Sequence, residues 1–251
     1  METRSRFEGP WANPWPGALL QVKEETRSTM EDAFELARSG GPSGSAAVAG
    51  YQSLGRGRVP GRTWVAAPWQ SLLATIVLRA GDLPSPLSQL PLRVGVAAAQ
   101  AVEEAASLDV RIKWPNDLMV GRRKLAGILC ETRGDVALVG VGVNCTQESW
   151  PPELAQSACS IVQASGRSVD LPSLLAILLR SVRDTLGDGL WLEKLRQRLY
   201  GVGESVRVDL IGSDRRIDGL LRDVGEDGRL VVELADGTLA RVAQGEISPG
   251  L

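Results

Sequence analysis

The chain has 251 residues, of which 43% are hydrophobic and 23% are charged, so it can form one well-buried catalytic core and a small second unit. Histidine is absent, which excludes Ser-His-Asp and Cys-His catalytic groups and any histidine-bound zinc site. The net charge of −2 argues against broad nucleic-acid binding, and no apolar run is long enough to predict a membrane span.

The N-terminal residues and the cysteines indicate the compartment. The first residues lack the apolar block of a secretory signal. Cys130, Cys145 and Cys159 have unpaired spacings and form no Cys-x-x-Cys pair, so we expect them to be reduced, buried and free of zinc. We therefore predict a cytoplasmic protein.

The first half of the chain predicts a mixture of strands and helices. A segment rich in tryptophan and proline, residues 10–16, has no periodicity and is expected to lie over the core as an arm. After a short strand at residues 21–23, Ser28 and Thr29 form a helix N-cap signal with acidic residues in the first turn. The apolar patterns predict strands at residues 46–52, 63–67 and 72–78 and a helix at residues 87–106.

The second half predicts a change of architecture near residue 200. A buried strand is predicted at residues 136–143, ending at Asn144, and helices are predicted at residues 171–182 and 190–199. Beyond Gly201 the apolar period changes to two, with turns between short strands, which predicts a small β-barrel. We therefore predict an α+β (mixed α/β) catalytic domain at residues 1–200 and a barrel domain at residues 201–251.

A glycine-rich loop with three arginines lies between two of the predicted strands, in the sequence Gly55-Arg-Gly-Arg-Val-Pro-Gly-Arg-Thr-Trp64. Glycines let backbone amides approach an anion, and arginine side chains bind phosphate or carboxylate oxygens in pairs. An ordinary mobile surface loop is the alternative. An RNA-binding arginine-glycine segment is disfavoured, because the cluster occurs once and apolar strands flank it.

The stretch from Lys113 to Leu129 predicts a hairpin that carries charged and amide side chains. A proline breaks the first strand, and a turn and a glycine return the chain along a second and a third strand. We expect Lys113, Asn116, Asp117 and Lys124 to face one cleft, where they can handle phosphate and carboxylate together. Alternatively, the lysines are solvated charges that protect a strand edge.

Six segments, taken in order, resemble the biotin protein ligases, also called biotin acetyl-CoA-carboxylase ligases. They are Ser28-Thr29, Tyr51-Gln52 with Gly55-Arg-Gly-Arg58, Lys113-Trp-Pro-Asn-Asp117, Lys124-Leu-Ala-Gly-Ile-Leu129, Val141-Gly-Val-Asn144 and Gly245-Glu-Ile-Ser248. One segment alone is a weak signal, but six with sensible spacing cover most of the chain. The resemblance implies a mixed sheet backed by helices, similar to the class II synthetases, followed by an SH3-like barrel.

The resemblance also implies a ligase reaction in two steps. The biotin carboxylate attacks the α-phosphorus of ATP, which releases pyrophosphate and leaves biotinyl-5′-AMP. A lysine of a biotin carboxyl carrier protein, or of the carrier domain of a biotin-dependent carboxylase, then takes the acyl group and AMP leaves. Fixed cationic side chains and Mg²⁺ on the phosphates stabilise charge in such a reaction, so the lack of histidine is no obstacle.

The resemblance assigns site residues by their positions in these segments. The residues implied to bind biotin are Ser28, Thr29, Gln52, Gly55, Arg56, Gly57 and Lys124. The residues implied to bind ATP are Arg58, Arg62, Trp64, Lys113, Asn116 and Asn144. Lys124 and Arg58 are the implied catalytic residues, and the Lys124 ammonium would bridge the biotin carboxylate and the α-phosphate. Asp117 would orient Lys124 or contact the metal through water, and Trp64 and Trp114 would either wall the site or belong to the core.

Three features depart from the family pattern. The stretch Val59-Pro60-Gly61 makes the loop one residue longer, which leaves the placement of Arg62 open. Arg27 stands where many relatives have an acidic residue. Basic residues are lacking after the Gly-Glu-Ile-Ser segment, so a contribution of the barrel to ATP binding would need Arg215 or Arg216.

Several partners and alternatives are compatible with the sequence. A winged-helix DNA-binding domain precedes the catalytic part in some relatives, but Ser28 comes too early for one, so we expect no DNA binding. One rival is a lipoate ligase or octanoyl transferase of the same fold, which the Gly-Arg-Gly-Arg and Lys-Trp-Pro-Asn-Asp segments disfavour. The other is a noncatalytic phosphate or nucleic-acid binding module. The sequence leaves monomer and homodimer open, since an exposed strand edge could pair with a second subunit or with the carrier.

Overall fold

A seven-stranded mixed sheet forms the larger part of the protein in a computed structural model that describes Phe7 and residues 13–59 and 61–250. Its strands are β1 (Leu20–Thr26), β2 (Ala46–Gln52), β3 (Ser71–Arg79), β4 (Arg111–Lys113), β5 (Asp117–Val120), β6 (Arg123–Arg133) and β7 (Val136–Asn144). They lie in the order β1-β2-β3-β7-β6-β5-β4. β1 and β2 are parallel and all other neighbours are antiparallel. The mixed sheet predicted from the sequence is therefore confirmed.

Helices cover both faces of this sheet. They are α1 (Thr29–Arg38), α2 (Leu90–Ala106), α3 (Ile161–Ser165), α4 (Leu171–Leu186) and α5 (Trp191–Arg198). Successive strand residues point to opposite faces, so the apolar runs of β2, β3 and β7 bury both sides. On one side Ala47, Val77 and Leu138 pack with α1, and on the other Val48 and Ile76 pack with the core beneath α2 and α4.

A second, five-stranded antiparallel sheet follows, as the change of apolar period predicts. Its strands are β8 (Ser205–Asp209), β9 (Arg216–Val224), β10 (Leu230–Glu233), β11 (Leu239–Val242) and β12 (Glu246–Pro249), in the order β11-β10-β9-β8-β12. It contacts the first part of the chain through hydrogen bonds to backbone carbonyls. Trp114 Nε1 donates to Gly228 O at 3.0 Å, and Gln89 Nε2 donates to Glu226 O at 2.8 Å.

The prediction of a strand at residues 63–67 is wrong. This stretch folds back on the arginine loop, where Trp64 N donates to Gly55 O at 3.1 Å and an isolated bridge joins Arg56 and Thr63. Local hydrogen bonds therefore replace a ladder with a neighbouring strand. The predicted helix at residues 87–106 begins three residues later, after a 3₁₀ turn at Leu87–Gln89.

The remaining structural expectations concern the arm and the cysteines. Residues 10–12 of the arm lie outside the described residues, but Trp15 is buried and donates to Leu179 O at 3.2 Å. All three cysteines are free thiols; Cys145 and Cys159 are buried as predicted, whereas Cys130 is only half-buried. Burial raises the pKa of the Cys130 and Cys145 thiols to about 12. Among the helices in the described ranges, none combines the length and apolar character that a bilayer crossing requires.

Candidate active site

A pocket opens on the α1 face of the large sheet, just beyond the start of that helix. We call it the neutral pocket. Its lining includes Ser28, Thr29, Gln52, Arg56, Gly57, Arg58, Trp64, Thr75, Asn116, Lys124, Gly127, Gly140 and Gly142. Strand alternation explains its position: β3 presents Thr75 and Leu73 on the same face as Val77, which lies under α1. The pocket is therefore the part of this face that α1 leaves uncovered.

Glycines of β6 and β7 form the floor of the neutral pocket, and Trp64 lies against them. A Cβ atom at Gly142 would lie 2.8 Å from Cε2 and Cζ2 of Trp64, and one at Gly127 would lie 2.9 Å from its Cζ3. Any side chain at these positions would displace the indole. Trp64 Nε1 is buried and has no hydrogen-bond partner among the described residues, which is uncommon for a buried indole N–H group.

The inner end of the neutral pocket carries a network of hydroxyl and amide groups. Gln52 Oε1 accepts from Thr29 N at 2.8 Å and from Thr29 Oγ1 at 3.0 Å, and the Thr29 and Thr75 hydroxyls are 2.8 Å apart. Ser28 is the N-cap of α1 and accepts from Met30 N at 3.3 Å. The Ser28 hydroxyl proton and the Gln52 Nε2 group remain as donors, so this end suits an uncharged polar group.

A second, wider cavity adjoins the first, and we call it the cationic cavity. Its charged and amide lining residues are Arg58, Arg62, Lys113, Asn116, Asp117, Arg122, Lys124, Asn144 and Glu246. Gly57, Arg58, Trp64, Asn116 and Lys124 line both spaces, so the two cavities meet at these residues. The cleft predicted to gather Lys113, Asn116, Asp117 and Lys124 is this cavity.

Lys124 is held by its backbone as well as by its side chain. Its N–H donates to Ser157 O at 2.7 Å, and its carbonyl accepts from Cys159 N at 2.9 Å. The Lys124 ammonium lies 2.7 Å from Asp117 Oδ1, and the two groups form an ion pair whose geometry is not that of a hydrogen bond. The ammonium also lies 5.8 Å from the centre of the Trp64 ring. Asp117 thus occupies the place expected for a residue that orients Lys124.

Arg58 joins the arginine loop to both sheets. Its Nε donates to Asn116 Oδ1 at 3.2 Å and its Nη2 donates to Gly245 O at 2.8 Å, while Asn116 Nδ2 donates to Ile128 O at 3.0 Å. Burial lowers the pKa of the Arg58 guanidinium, although the carboxylates of Glu246 and Asp117 oppose the shift. A desolvated cation at the junction of the cavities binds an anion more strongly than a solvated one.

Lys113 and Asn144 also line the cationic cavity. Burial lowers the pKa of Lys113, and the neighbouring charges of Lys124 and Arg62 lower it further, against the opposing carboxylates. Asn144 is buried at the end of β7, where its Nδ2 donates to Cys159 O at 3.0 Å. Through its amide nitrogen, Asn144 therefore ties the end of β7 to the backbone at Cys159, beside the cavity.

Some predicted residues lie elsewhere or have a different surrounding. Trp114 lines neither cavity and packs in the core, so of the two predicted positions, the wall of the site or the core, the structure has the second. Gly55 is buried behind Trp64 and is not a lining residue. Arg62 does reach the cationic cavity despite the longer loop, and its Nη2 lies 3.0 Å from Glu246 Oε2. Glu246, and neither Arg215 nor Arg216, lines the cavity from the second sheet.

Sequence reasoning missed several lining residues. Thr75 is fully buried in β3 between apolar neighbours. A single hydroxyl residue in an otherwise apolar strand is the sequence signal that could have indicated a lining residue, because a buried hydroxyl needs a hydrogen-bond partner. Gly140 and Gly142 alternate with valines in β7, a spacing that places both on one face and indicates close approach of another group. Glu246 lies in the Gly245-Glu-Ile-Ser248 segment, but nothing in the sequence places it or Trp150 at the cavity, because loop and sheet packing bring them there.

The described residues contain no group of three histidine, cysteine, aspartate or glutamate side chains placed to hold a metal ion. The two carboxylates of the cationic cavity already face cations, Asp117 with Lys124 and Glu246 with Arg62. A divalent cation here would therefore need most of its ligands from a bound anion or from water.

A neutral pocket that shares a cationic wall with a second cavity defines an enzyme that handles an uncharged organic group beside an anionic one. Residues 22–148 match the model of the Biotin/lipoate A/B protein ligase family. The bifunctional ligase/repressor BirA of Bacillus spizizenii is 31% identical over 235 residues, which cover 88% of this chain and 71% of that protein. The biotin--[acetyl-CoA-carboxylase] ligase of Mycobacterium tuberculosis is 30% identical over 238 residues, which cover 91% and 88%.

Structural similarity extends over the second sheet as well. A biotin protein ligase from Aquifex aeolicus, solved in complex with biotin and ATP, superposes with a TM-score of 0.80 and 28% identity, covering 92% of this chain and 97% of that one. The chain belongs to the Biotin/lipoate A/B protein ligase family. The resemblance seen in the six sequence segments is confirmed.

Proposed function

We propose that the protein is an ATP-dependent ligase that activates biotin as biotinyl-5′-AMP and transfers the acyl group to a lysine of a biotin carboxyl carrier protein or domain. The observation that carries this proposal is the wall shared by the two cavities, where Lys124 and Arg58 face both spaces. An acid bound in the neutral pocket and a triphosphate bound in the cationic cavity meet at these two cations. The relatives named as biotin ligases support the same assignment.

The neutral pocket fits a bicyclic urea better than a linear acyl chain. The Ser28 hydroxyl and Gln52 Nε2 are donors for the ureido oxygen, and Thr29 offers an acceptor for a ureido N–H group. The Trp64 indole, which packs on the glycine floor, gives the pocket a flat apolar wall for the rings. In this arrangement the backbone of Gly57 and the Arg56 side chain close the mouth of the pocket, and Gly55 allows the loop to pack behind Trp64.

The acid and the α-phosphate react at the shared wall. A biotin carboxylate oxygen attacks the α-phosphorus, the bond to the bridging oxygen of the β-phosphate breaks, and pyrophosphate leaves. Lys124 lies where it contacts both the carboxylate and the α-phosphate, and Arg58 stabilises charge on the non-bridging oxygens. Lys113 and Arg62 contact the remaining phosphates and pyrophosphate.

The other polar groups of the cationic cavity hold the nucleotide and its metal. Asn116 and Asn144 contact the nucleotide, and Trp64, which also lines this cavity, lies beside it. Mg²⁺ bound to the phosphates would neutralise their charge, with Asp117 or Glu246 supplying at most one or two oxygens, directly or through water. Such a small contribution from the protein agrees with the few carboxylates present in the cavity.

The second step transfers the acyl group from the adenylate to the carrier. The carrier lysine amine attacks the acyl carbon, the bond to the phosphate oxygen breaks, AMP leaves, and the amine proton passes to solvent. We place this reaction in the cytoplasm, because the three cysteines are free thiols and a reducing compartment keeps them so.

Exchange of labelled pyrophosphate into ATP tests the proposal, because only adenylate formation makes that exchange depend on the acid. We expect exchange that depends on biotin, and transfer of labelled biotin to a carrier domain. Exchange driven by lipoate or octanoate instead would assign the chain to the other branch of the family. Salt-sensitive polynucleotide binding without any exchange would make it a noncatalytic module.

A further inference from the structure

Three charged side chains outside both cavities hold the arginine loop from its outer side. Arg133 on β6 donates to the two carboxylate oxygens of Glu31 at 2.8 and 2.6 Å and to Glu131 at 3.2 Å. Arg56 of the loop approaches the same two carboxylates, with Nη2 3.4 Å from Glu31 Oε1 and 3.2 Å from Glu131 Oε1. We call Glu31, Glu131 and Arg133 the outer clasp.

The outer clasp is built on rigid elements, whereas its partner belongs to a loop. Glu31 lies in the first turn of α1, Glu131 and Arg133 lie on β6, and the Arg133 guanidinium also stacks 4.9 Å from the centre of the Phe34 ring. Hydrogen bonding from Arg133 lowers the pKa of Glu31, so this carboxylate stays charged near neutral pH. Arg133 bridges the two carboxylates and holds them close together, so that an oxygen of each lies within 3.4 Å of Arg56.

The clasp acts where the loop crosses the mouth of the neutral pocket. Arg56 lines that pocket, and the next residue, Gly57, lines both cavities. Further along the loop, Arg58 is anchored to Asn116 and Gly245. The clasp thus supplies a second anchor on the opposite side, so that the loop spans the shared wall between two fixed points.

We propose that Glu31, Glu131 and Arg133 are positioning residues that hold Arg56 and thereby keep the loop closed over the acyl-adenylate between the two steps. This inference rests on the proposed function. Closure matters at that moment because a mixed anhydride that escapes is attacked at its acyl carbon by water or by unrelated amines. Either attack releases AMP without acylating the carrier.

The first variant is a double substitution that combines Glu31→Gln with Glu131→Gln. Its matched control is the single substitution Glu35→Gln. Glu35 lies on the same helix and pairs with Arg38 on the exposed face, away from the loop. Arg133→Gln is the third variant. It leaves the atoms that touch Arg56 in place but removes the group that holds the two glutamates together.

The first readout is trypsin cleavage after Arg56, Arg58 and Arg62 in the ligand-free protein, mapped by mass spectrometry. We expect cleavage in this loop to be roughly fivefold faster in the double glutamate variant and in Arg133→Gln, a size typical of partly exposed ion pairs. The control should cleave like the wild type, and salt should speed cleavage of the wild type because it screens the pairs. The midpoint of thermal unfolding should change little in all variants.

The second readout is the share of acyl-adenylate that leaves the enzyme, measured by rapid filtration with labelled biotin and by labelling of a bystander protein. That share should rise roughly fivefold in both clasp variants, while the KM for ATP stays near the wild-type value. Unchanged loop cleavage would overturn the inference, and so would faster cleavage with unchanged release. If the wild type forms no adenylate, the proposed function fails, but the cleavage comparison still decides whether the clasp holds the loop.

Discussion

The neutral pocket and the cationic cavity share a wall but are built in opposite ways. In the neutral pocket Thr29, Gln52 and Thr75 hydrogen-bond to one another and glycines make room, and the described lining residues include no carboxylate to face its basic side chains. The cationic cavity has five basic and two acidic side chains among its described lining residues, so its positive charge is only partly compensated. The neutral pocket can recognise a ligand by its shape, whereas the cationic cavity can recognise a ligand by its negative charge.

The difference between the two spaces predicts that one determines which acid binds and the other determines the rate of the reaction. Contacts that are equal in the ground state and the transition state affect binding, whereas contacts to charge that develops during the reaction affect the rate. Changes to the shape of the neutral pocket should therefore act on the KM for biotin. Changes to the cations of the shared wall should act on kcat, and Lys124→Ala and Gly142→Ala, each with a control variant, test this division.

The largest effect is expected for Lys124→Ala. The ammonium contacts the acid and the nucleotide at the point of reaction, so its loss should reduce adenylate formation about 10²-fold or more, mainly in kcat. The measurement is biotin-dependent pyrophosphate exchange, with circular dichroism to show that the variant folds.

Lys194→Ala is the matched control for Lys124→Ala. Lys194 forms an ion pair of similar length and exposure with Asp188, 2.6 Å apart, but lines neither cavity. Its removal should leave pyrophosphate exchange near the wild-type rate. If the two variants lost activity equally, the effect would belong to stability, and if neither lost activity, Lys124 would have no place in the reaction.

A smaller and different effect is expected for Gly142→Ala. The new methyl group would lie 2.8 Å from two atoms of the Trp64 ring, which cannot bend away as a flexible chain can, so the indole must move into the pocket. We expect the KM for biotin to rise about tenfold, the typical effect of overpacking. Steady-state kinetics with varied biotin measures it.

Gly140→Ala provides the comparison on the same strand. Its methyl group would lie 3.1 Å from the Met30 sulfur, which lies near the end of a flexible side chain that can rearrange. The KM for biotin should therefore change less than about threefold. Equal effects of the two substitutions would show that the wall formed by Trp64 does not shape the pocket.

Local signals made much of the fold predictable. The N-cap at Ser28 and the strand at residues 46–52 appear as the sequence predicts, since a capping hydroxyl and an apolar run between turns depend only on near neighbours. The hairpin residues Lys113, Asn116 and Lys124 also meet as predicted, because a short connection fixes which strands pair. These elements carry most of the shared wall.

The remainder depends on contacts between distant parts of the chain. The sequence predicts a strand at Trp64, but the backbone of the arginine loop pairs with this residue instead, and the pairing puts the indole on the glycine floor. Glu246 reaches the cationic cavity only because the second sheet docks there. Neither arrangement is encoded within one segment, so sequence patterns alone could not place the two residues.

The smallest effect is a shift in pH dependence. Burial lowers the pKa of Lys113, so its ammonium loses the proton at a lower pH than an exposed lysine does. The charged groups that face it are Asp117, Lys124, Glu246 and Arg62. As the pH rises through this lowered pKa, a cation of the phosphate site disappears, and the KM for ATP should increase by roughly fivefold.

Lys113→Arg isolates this titration, because a guanidinium stays protonated throughout the accessible range. The rise of the KM for ATP should move to higher pH in the variant, while the KM for biotin follows the same pH profile in both proteins. Steady-state kinetics between pH 7 and the alkaline limit of stability measures the two profiles. Superimposable ATP profiles would contradict a role for Lys113 in the phosphate site, and parallel shifts for both substrates would place its charge at the shared wall instead of in the cationic cavity alone.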